Sequence, residues 1–260
     1  MRTAQIARRD AVREDAAGRG PFQVGDHPQD PPGPVIAAAS RHDNGWTDWE
    51  EKPTLDPSTQ QPWQFYALTP HEHIPLYRNG IRAAANHDPY TGLLVSMHGV
   101  GLYNNRYGTF RLAEQHFSDD ERVLVDEFLA EQALLQQSLA EQAPGGQTHT
   151  PITSDTNVWC NYLLLQVWDR LSLQYAFRMA ADGEIGPVPL PGGDSSILRC
   201  FSRGRFSMAL DPYPFDGAAL SFPVVARRLP DRRYRTPEEF LEVLTKAPVE
   251  ELDCKASPLA

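Results

Sequence analysis

Cysteine is scarce in this chain. Cys160, Cys200 and Cys254 are the only three in 260 residues, and no two form a C-x-x-C pair. That scarcity excludes a disulfide framework and a Cys-rich zinc site, and it suits a reducing, cytoplasmic setting. Long apolar runs are missing as well: no window approaches the roughly 18 residues of a membrane span. The opening "MRTAQIARRDAVREDAAGRG" is charged throughout and lacks the apolar stretch of a secretory leader. Positive charge is in deficit too, with a net charge of −10. Duplex binding needs clustered Lys and Arg against phosphates, so no nucleic-acid surface is expected. The densest basic run, "ARRLPDRRYR" from Ala226 to Arg235, reads as a solvated turn. No P-loop or dinucleotide fingerprint, no serine or cysteine triad signature and no internal repeat is identifiable.

With 41% hydrophobic residues, the chain can bury a sizeable core. Residues 1–33, ending in the Pro- and Gly-dense "GDHPQDPPGP", read as a flexible N-terminal arm. Residues 34–182 read as a helical core. Helical spacing runs from Val35, Ile36 and Ala39 to His42 and Asp43 and is stopped by Gly45. Two further helices lie between His71 and Tyr103, with Pro89 between them, and His87–Asp88 marks the boundary. "SDDE" at Ser118–Glu121 has the form of a capping box. The helix it opens carries Leu124, Phe128, Leu135 and Leu139, and the next runs from about Thr153 to about Ala181. Residues 183–260 contain β-prone segments between Gly, Pro and Asp, then a short helix capped by Thr236 and Pro237. The predicted class is therefore mainly α: a helical bundle with a small C-terminal β-containing extension packed on it. "LDPYPFDG", Leu210 to Gly217, reads as a rigid turn or lid closing on the helical core.

Three helices of that core carry a His or Asp inside an apolar stripe. In "SDTNVWCNYLLLQVWDRLSLQYAFRMAA", Val158, Tyr162, Leu165, Asp169, Ser172 and Ala176 follow at helical spacing, which puts Asp169 where a core residue belongs. A lone buried carboxylate is costly and needs a cation, donors or a metal. In "YTGLLVSMHGVGLY", Leu94, Met97, His98 and Gly101 share a face, and glycines flank His98 so that another backbone or a ligand can approach. His42 and Asp43 stand side by side in "ASRHDNGWTDWEE". Imidazole and carboxylate donors from separate helices suit Zn, Fe, Mn or Ni, whereas Mg and Ca prefer all-oxygen shells. Trp46 and Trp49 read as packing over the helices, ahead of the alternative that they wall a substrate pocket. His71 and His73 read as an exposed helix start.

The order His-Asp, then His, then a late Asp resembles the HD-domain superfamily of metal-dependent phosphohydrolases. More closely, "RHDNGWTDWEEKP", "YTGLLVSMHGVGLY", "WDRLSLQ" and "LDPYPF" resemble an uncharacterised bacterial family known only as a domain of unknown function with an HDxGW motif, over about residues 35 to 250. The resemblance implies an HD-like helical bundle in which His42, Asp43, His98 and Asp169 bind one or two divalent transition metal ions, Fe, Mn or Zn. Asp43 would also be catalytic, orienting the attacking water. The superfamily's first His has no helical counterpart here, because the one upstream histidine, His27, stands in "GDHPQDPPGP".

The expected function is metal-dependent hydrolysis of a small-molecule substrate, a phosphoester among the candidates, with no nucleic-acid or membrane partner. Arg41, Lys52, Arg78 and Arg82 are the cations nearest the ligands in sequence. Two alternatives use the same residues: an HD-type di-iron oxygenase, and a non-catalytic protein that binds a ligand or partner around a degenerate site.

Overall fold

The structure, a computed structural model, describes residues 33–104, 116–143, 156–176, 182–190, 194–215 and 217–259. The expected N-terminal arm with His27 falls outside these, as do the expected helix start at Thr153 and helix end at Ala181.

Helix α1 (Gly33–Arg41) buries Val35 and Ala38. A 3-10 turn (Asn44–Trp46) and the five-residue α2 (Thr47–Glu51) follow. Helix α3 (Pro70–His87) opens on a capping box between Thr69 and Glu72 and ends at Asp88. The Asp88 carboxylate then accepts a 2.8 Å hydrogen bond from the Thr91 N–H and so caps α4 (Pro89–Gly101). Proline at the first position of α4 forfeits only an N–H that would lack a helical partner anyway. His87–Asp88 is thus the boundary its sequence implies. Helix α5 (Asp119–Gln142) starts at the predicted box, Ser118 with Glu121. Helix α6 (Thr156–Ala176) completes the layer. Every residue from Thr91 to Gly99 is buried, which makes α4 the central helix.

The remainder overturns the mainly α assignment. Strands β1 (Gly183–Pro189), β2 (Ser195–Gly204), β3 (Ser207–Asp211), β4 (Leu220–Arg227) and β5 (Val249–Pro258) form one sheet in the order β1-β2-β3-β5-β4. The sheet curls into a half-barrel, and with 54% helix and 22% strand among the described residues the fold is α/β. "All-α" does not describe it. The decisive strand is β5, inserted between β3, with which it runs parallel, and β4, with which it runs antiparallel. Its sequence, "VEELDCKASP", has little intrinsic strand preference. Pairing on both sides and the burial of Cys254 and Ala256 make it a strand, and context of that kind outweighs propensity in sheets.

Helix α6 holds the two layers together. Val158, Tyr162 and Leu165 lie in the helical core with Phe128 and Leu94. Val167, Leu171 and Tyr175 lie in the sheet core with Leu198, Met208 and Leu210. The "LDPYPF" segment packs there too, through Tyr213 and Phe215, and Tyr213 donates to the Ala256 carbonyl. It closes on the sheet, not on the helical core as expected. A third cluster of Leu229, Tyr234, Phe240 and Leu244 packs α7 (Pro237–Lys246), whose cap is Thr236 as predicted. Within the basic run, Arg228 pairs with Glu250 and Arg232 with Glu239.

Candidate metal centre

Helix α1 ends one residue before the His-Asp pair, so His42 and Asp43 occupy a turn and not the helix expected for them. The turn removes the constraint that neighbouring helical side chains diverge by about 100°. It also supplies a tether. The last carbonyls of a helix lack backbone partners, and the Ala39 carbonyl takes a 2.7 Å hydrogen bond from His42 Nδ1. A carbonyl only accepts, so Nδ1 carries the proton and Nε2 turns the other way. There it meets two carboxylates, Asp43 Oδ2 at 3.0 Å and Asp169 Oδ1 at 3.1 Å.

The residues after the pair press this turn against α3. A Cβ on Gly45 would lie 1.9 Å from the Leu76 carbonyl oxygen, so only glycine permits the approach. Trp46 then fills the core, edge-on to Trp49 at 5.7 Å, which agrees with the packing role predicted for this pair.

His98 arrives from α4 and Asp169 from α6, and both are buried. His42, His98 and Asp169 each offer a ligand atom, all within 4.8 Å of one another. The His42 and His98 rings meet edge to face with centroids 4.9 Å apart. His98 Nδ1 is hydrogen-bonded to Gln166 Nε2 at 3.1 Å, and Gln166 sits one turn before Asp169 on α6. Asp43 stands beside the triplet, with Oδ1 accepting a 3.3 Å hydrogen bond from the Tyr77 hydroxyl. The Tyr77 ring fits because residue 99 is glycine: a Cβ there would lie 3.0 Å from Tyr77 Cδ1. The gap beside His98 that the glycines suggested is therefore filled by Tyr77.

Electrostatics follow from this geometry. Burial pulls the His42 pKa down, but the charge of Asp43 and the hydrogen bonds to Asp169 and Asp43 outweigh it and raise the value to about 10. The position facing Nε2 thus favours a cation strongly, whether a proton or a metal ion. His73 behaves oppositely. Burial pushes it down to about 4, helped by His98 and opposed by Asp43, so it is neutral at pH 7.

His73 corrects the expectation of an exposed helix start. It is half-buried, hydrogen-bonded through Nδ1 to the Tyr103 hydroxyl at 2.7 Å, and packed against Trp46 and Tyr77. Its neighbour His71 is exposed as expected and pairs with Asp120. Tyr77, Tyr103 and Gln166 escaped the sequence reading as site residues. The spacing of His73 and Tyr77, four apart on α3 and hence on one face, was the available signal. Among the cations, Arg78 pairs with Glu131 on α5, and Lys52 and Arg82 are exposed. Arg41 keeps a buried Nε with no hydrogen-bond partner.

The residues fit a divalent transition metal. Two imidazoles and two carboxylates are a borderline donor set suited to Zn, Fe or Mn. Ligands around an ion with bonds near 2.1 Å stand about 3 to 4 Å apart, so the triplet needs only a small contraction. The Ala39 carbonyl on His42 Nδ1 is the outer support that metal-binding histidines use to fix tautomer and ring orientation.

No helix among the described residues is long and apolar enough to cross a membrane. No curated protein and no solved structure matches the chain. The family described as "Protein of unknown function (DUF3891)" matches residues 23–231, and the chain belongs to that family.

Proposed function

We infer that this protein is a metal-dependent hydrolase acting on a small-molecule substrate, with a phosphoester the first class to test. One observation carries the reading. His42 Nε2 faces two carboxylate oxygens at 3.0 and 3.1 Å while Nδ1 spends its proton on Ala39. A neutral imidazole would point a lone pair at two anions, so this position favours a positive charge, which a metal ion or a proton on Nε2 supplies. The run His42-Asp43, His98, Asp169 resembles part of the ligand order of the HD-domain phosphohydrolases, whose first His has no helical counterpart here.

In this reading His42, His98 and Asp169 bind the ion, and Asp43 completes the donor set and orients the attacking water. A bound dication would lower the pKa of a coordinated water towards about 7 and neutralise charge on a phosphoryl oxygen. The Tyr77 hydroxyl fixes the rotation of the Asp43 carboxylate. Trp46, packed against His73 and Tyr77, shields that side of the site from bulk water.

The test is elemental analysis of purified protein beside Asp43→Ala and Asp169→Ala, with folding checked by circular dichroism. Near-stoichiometric metal in the wild type, lost in both folded variants, together with turnover of a phosphomonoester or phosphodiester, is the expected result. A protein that takes up no Zn, Mn or Fe after reconstitution would overturn it. That outcome favours a second reading, a non-catalytic protein whose cation is a proton on His42, for which the pKa of about 10 speaks.

A further inference from the structure

We propose that Gln166 is a positioning residue for His98, whose buried side-chain amide reverses when metal binds and so converts His98 from an N–H donor into a ligand. The inference rests on the metal reading above and adds to it a residue that touches no metal itself.

Gln166 and His98 are both buried, at 3% and 2% exposure, so water cannot adjust the hydrogen bond between them. As it stands, the amide nitrogen faces His98 Nδ1 at 3.1 Å, and the amide oxygen is buried without a partner. An amide N–H only donates, so Nδ1 must accept and the proton of a neutral His98 sits on Nε2. That tautomer suits a metal-free site, where the ligand atoms of His98 and Asp169 lie within 4.8 Å of each other and an N–H near a carboxylate is favourable. It does not suit a ligand, because Nε2 has no lone pair to give.

A half-turn of the amide exchanges oxygen and nitrogen in almost the same volume, at small cost, since the terminal torsion of Gln is broad. The oxygen, lacking a donor before, then accepts from Nδ1–H, and Nε2 carries the lone pair. The proton moves from Nε2 to Nδ1 of the same ring, so His98 gains and loses none. Gln166 lies one helical turn before Asp169 on α6. One short stretch, "QVWD", therefore supplies both a ligand and the partner that orients another ligand.

The experiment compares wild type with Gln166→Glu, whose carboxylate can only accept, and Gln166→Met, which keeps the volume and loses the hydrogen bond. Histidine ring nitrogen NMR reads the His98 tautomer with and without Zn²⁺, and chelator competition reads Zn²⁺ affinity. Expected are the Nε2–H form in metal-free wild type, the Nδ1–H form in metal-free Gln166→Glu, and the Nδ1–H form in both with Zn²⁺. Affinity should fall at least about tenfold in Gln166→Met and be kept or improved in Gln166→Glu. An Nδ1–H tautomer in metal-free wild type, Zn²⁺ on Nδ1, or unchanged affinity in folded Gln166→Met would overturn the proposal. If Gln166→Met does not fold, the tautomers of wild type and Gln166→Glu still decide. If wild type takes up none of Zn, Mn or Fe, the hydrolase reading fails and the proposal with it; if it takes up Mn or Fe but no Zn²⁺, chelator competition with that ion decides between wild type and the two variants. A wild type that binds Zn²⁺ without the tautomer change sinks the proposal alone.

Discussion

His42 Nε2 lies 3.1 Å from Asp169 Oδ1, although the two residues are 127 positions apart in sequence. The contact joins the turn after α1 to the middle of α6, and Asp43 completes it from the other side at 3.0 Å. Both carboxylates raise the affinity of one nitrogen for a positive charge. Most of the testable behaviour of the site descends from that relationship.

Asp169→Asn keeps the shape of the side chain and removes its charge. The His42 pKa in the metal-free protein should then fall from about 10 by at least one unit, read from imidazole proton shifts in a pH titration. Zn²⁺ affinity should drop by more than about tenfold, because a ligand and not merely its support has been altered. An unchanged His42 titration would show that Asp169 does not hold the ring.

Metal uptake should release protons. At pH 7 a His42 with a pKa of about 10 is protonated, and a ligand nitrogen must be bare. Calorimetric titration with Zn²⁺ in buffers of different ionisation enthalpy should give close to one proton released per ion. In His42→Gln that proton should disappear.

Stability of the metal-free protein should peak near pH 6.5, the ordinary histidine value. The His42 pKa is raised on folding, so its contribution is complete below 6.5 and declines by about 1.4 kcal/mol per pH unit as pH rises towards 10. The His73 pKa is depressed on folding, so its contribution is complete above 6.5 and is lost as pH falls through about 4. Urea unfolding midpoints measured with chelator across this range should trace both limbs. His42→Gln should flatten the alkaline limb, and His73→Gln the acid one.

Gly45→Ala should cost on the order of 3 kcal/mol or prevent folding. The added methyl would sit 1.9 Å from the Leu76 carbonyl oxygen and 2.8 Å from its carbon, both backbone atoms of α3 that cannot swing aside. A thermal melt reads the loss. A variant as stable as wild type would mean that the turn carrying His42 and Asp43 does not pack against α3 this closely.

Much of the helical layer was legible because its signals are local. The capping box at Ser118 and Glu121, the Asp88–Pro89 boundary and the Thr236 cap depend on residues three or four apart, and each appears where expected. The four proposed site residues, His42, Asp43, His98 and Asp169, were picked out as polar groups in or beside apolar stripes, a pattern that stands out because burial penalises it. The sheet was misjudged in extent for the opposite reason. Strand β5 carries Glu250, Glu251, Asp253 and Lys255, and only its two neighbours make it a strand.

By itself, then, the sequence determined several helix boundaries, the caps and the few polar positions that need a partner, since these follow from spacing and from the cost of burying a charge. Tertiary structure alone decided which partners they meet. It placed Asp169 against His42 and Gln166 against His98, drew His73 out of solvent into a cage of Trp46, Tyr77 and Tyr103, and made β5 an inner strand of a half-barrel. Contacts between distant segments depend on how whole layers pack, and no local pattern of residues encodes that packing.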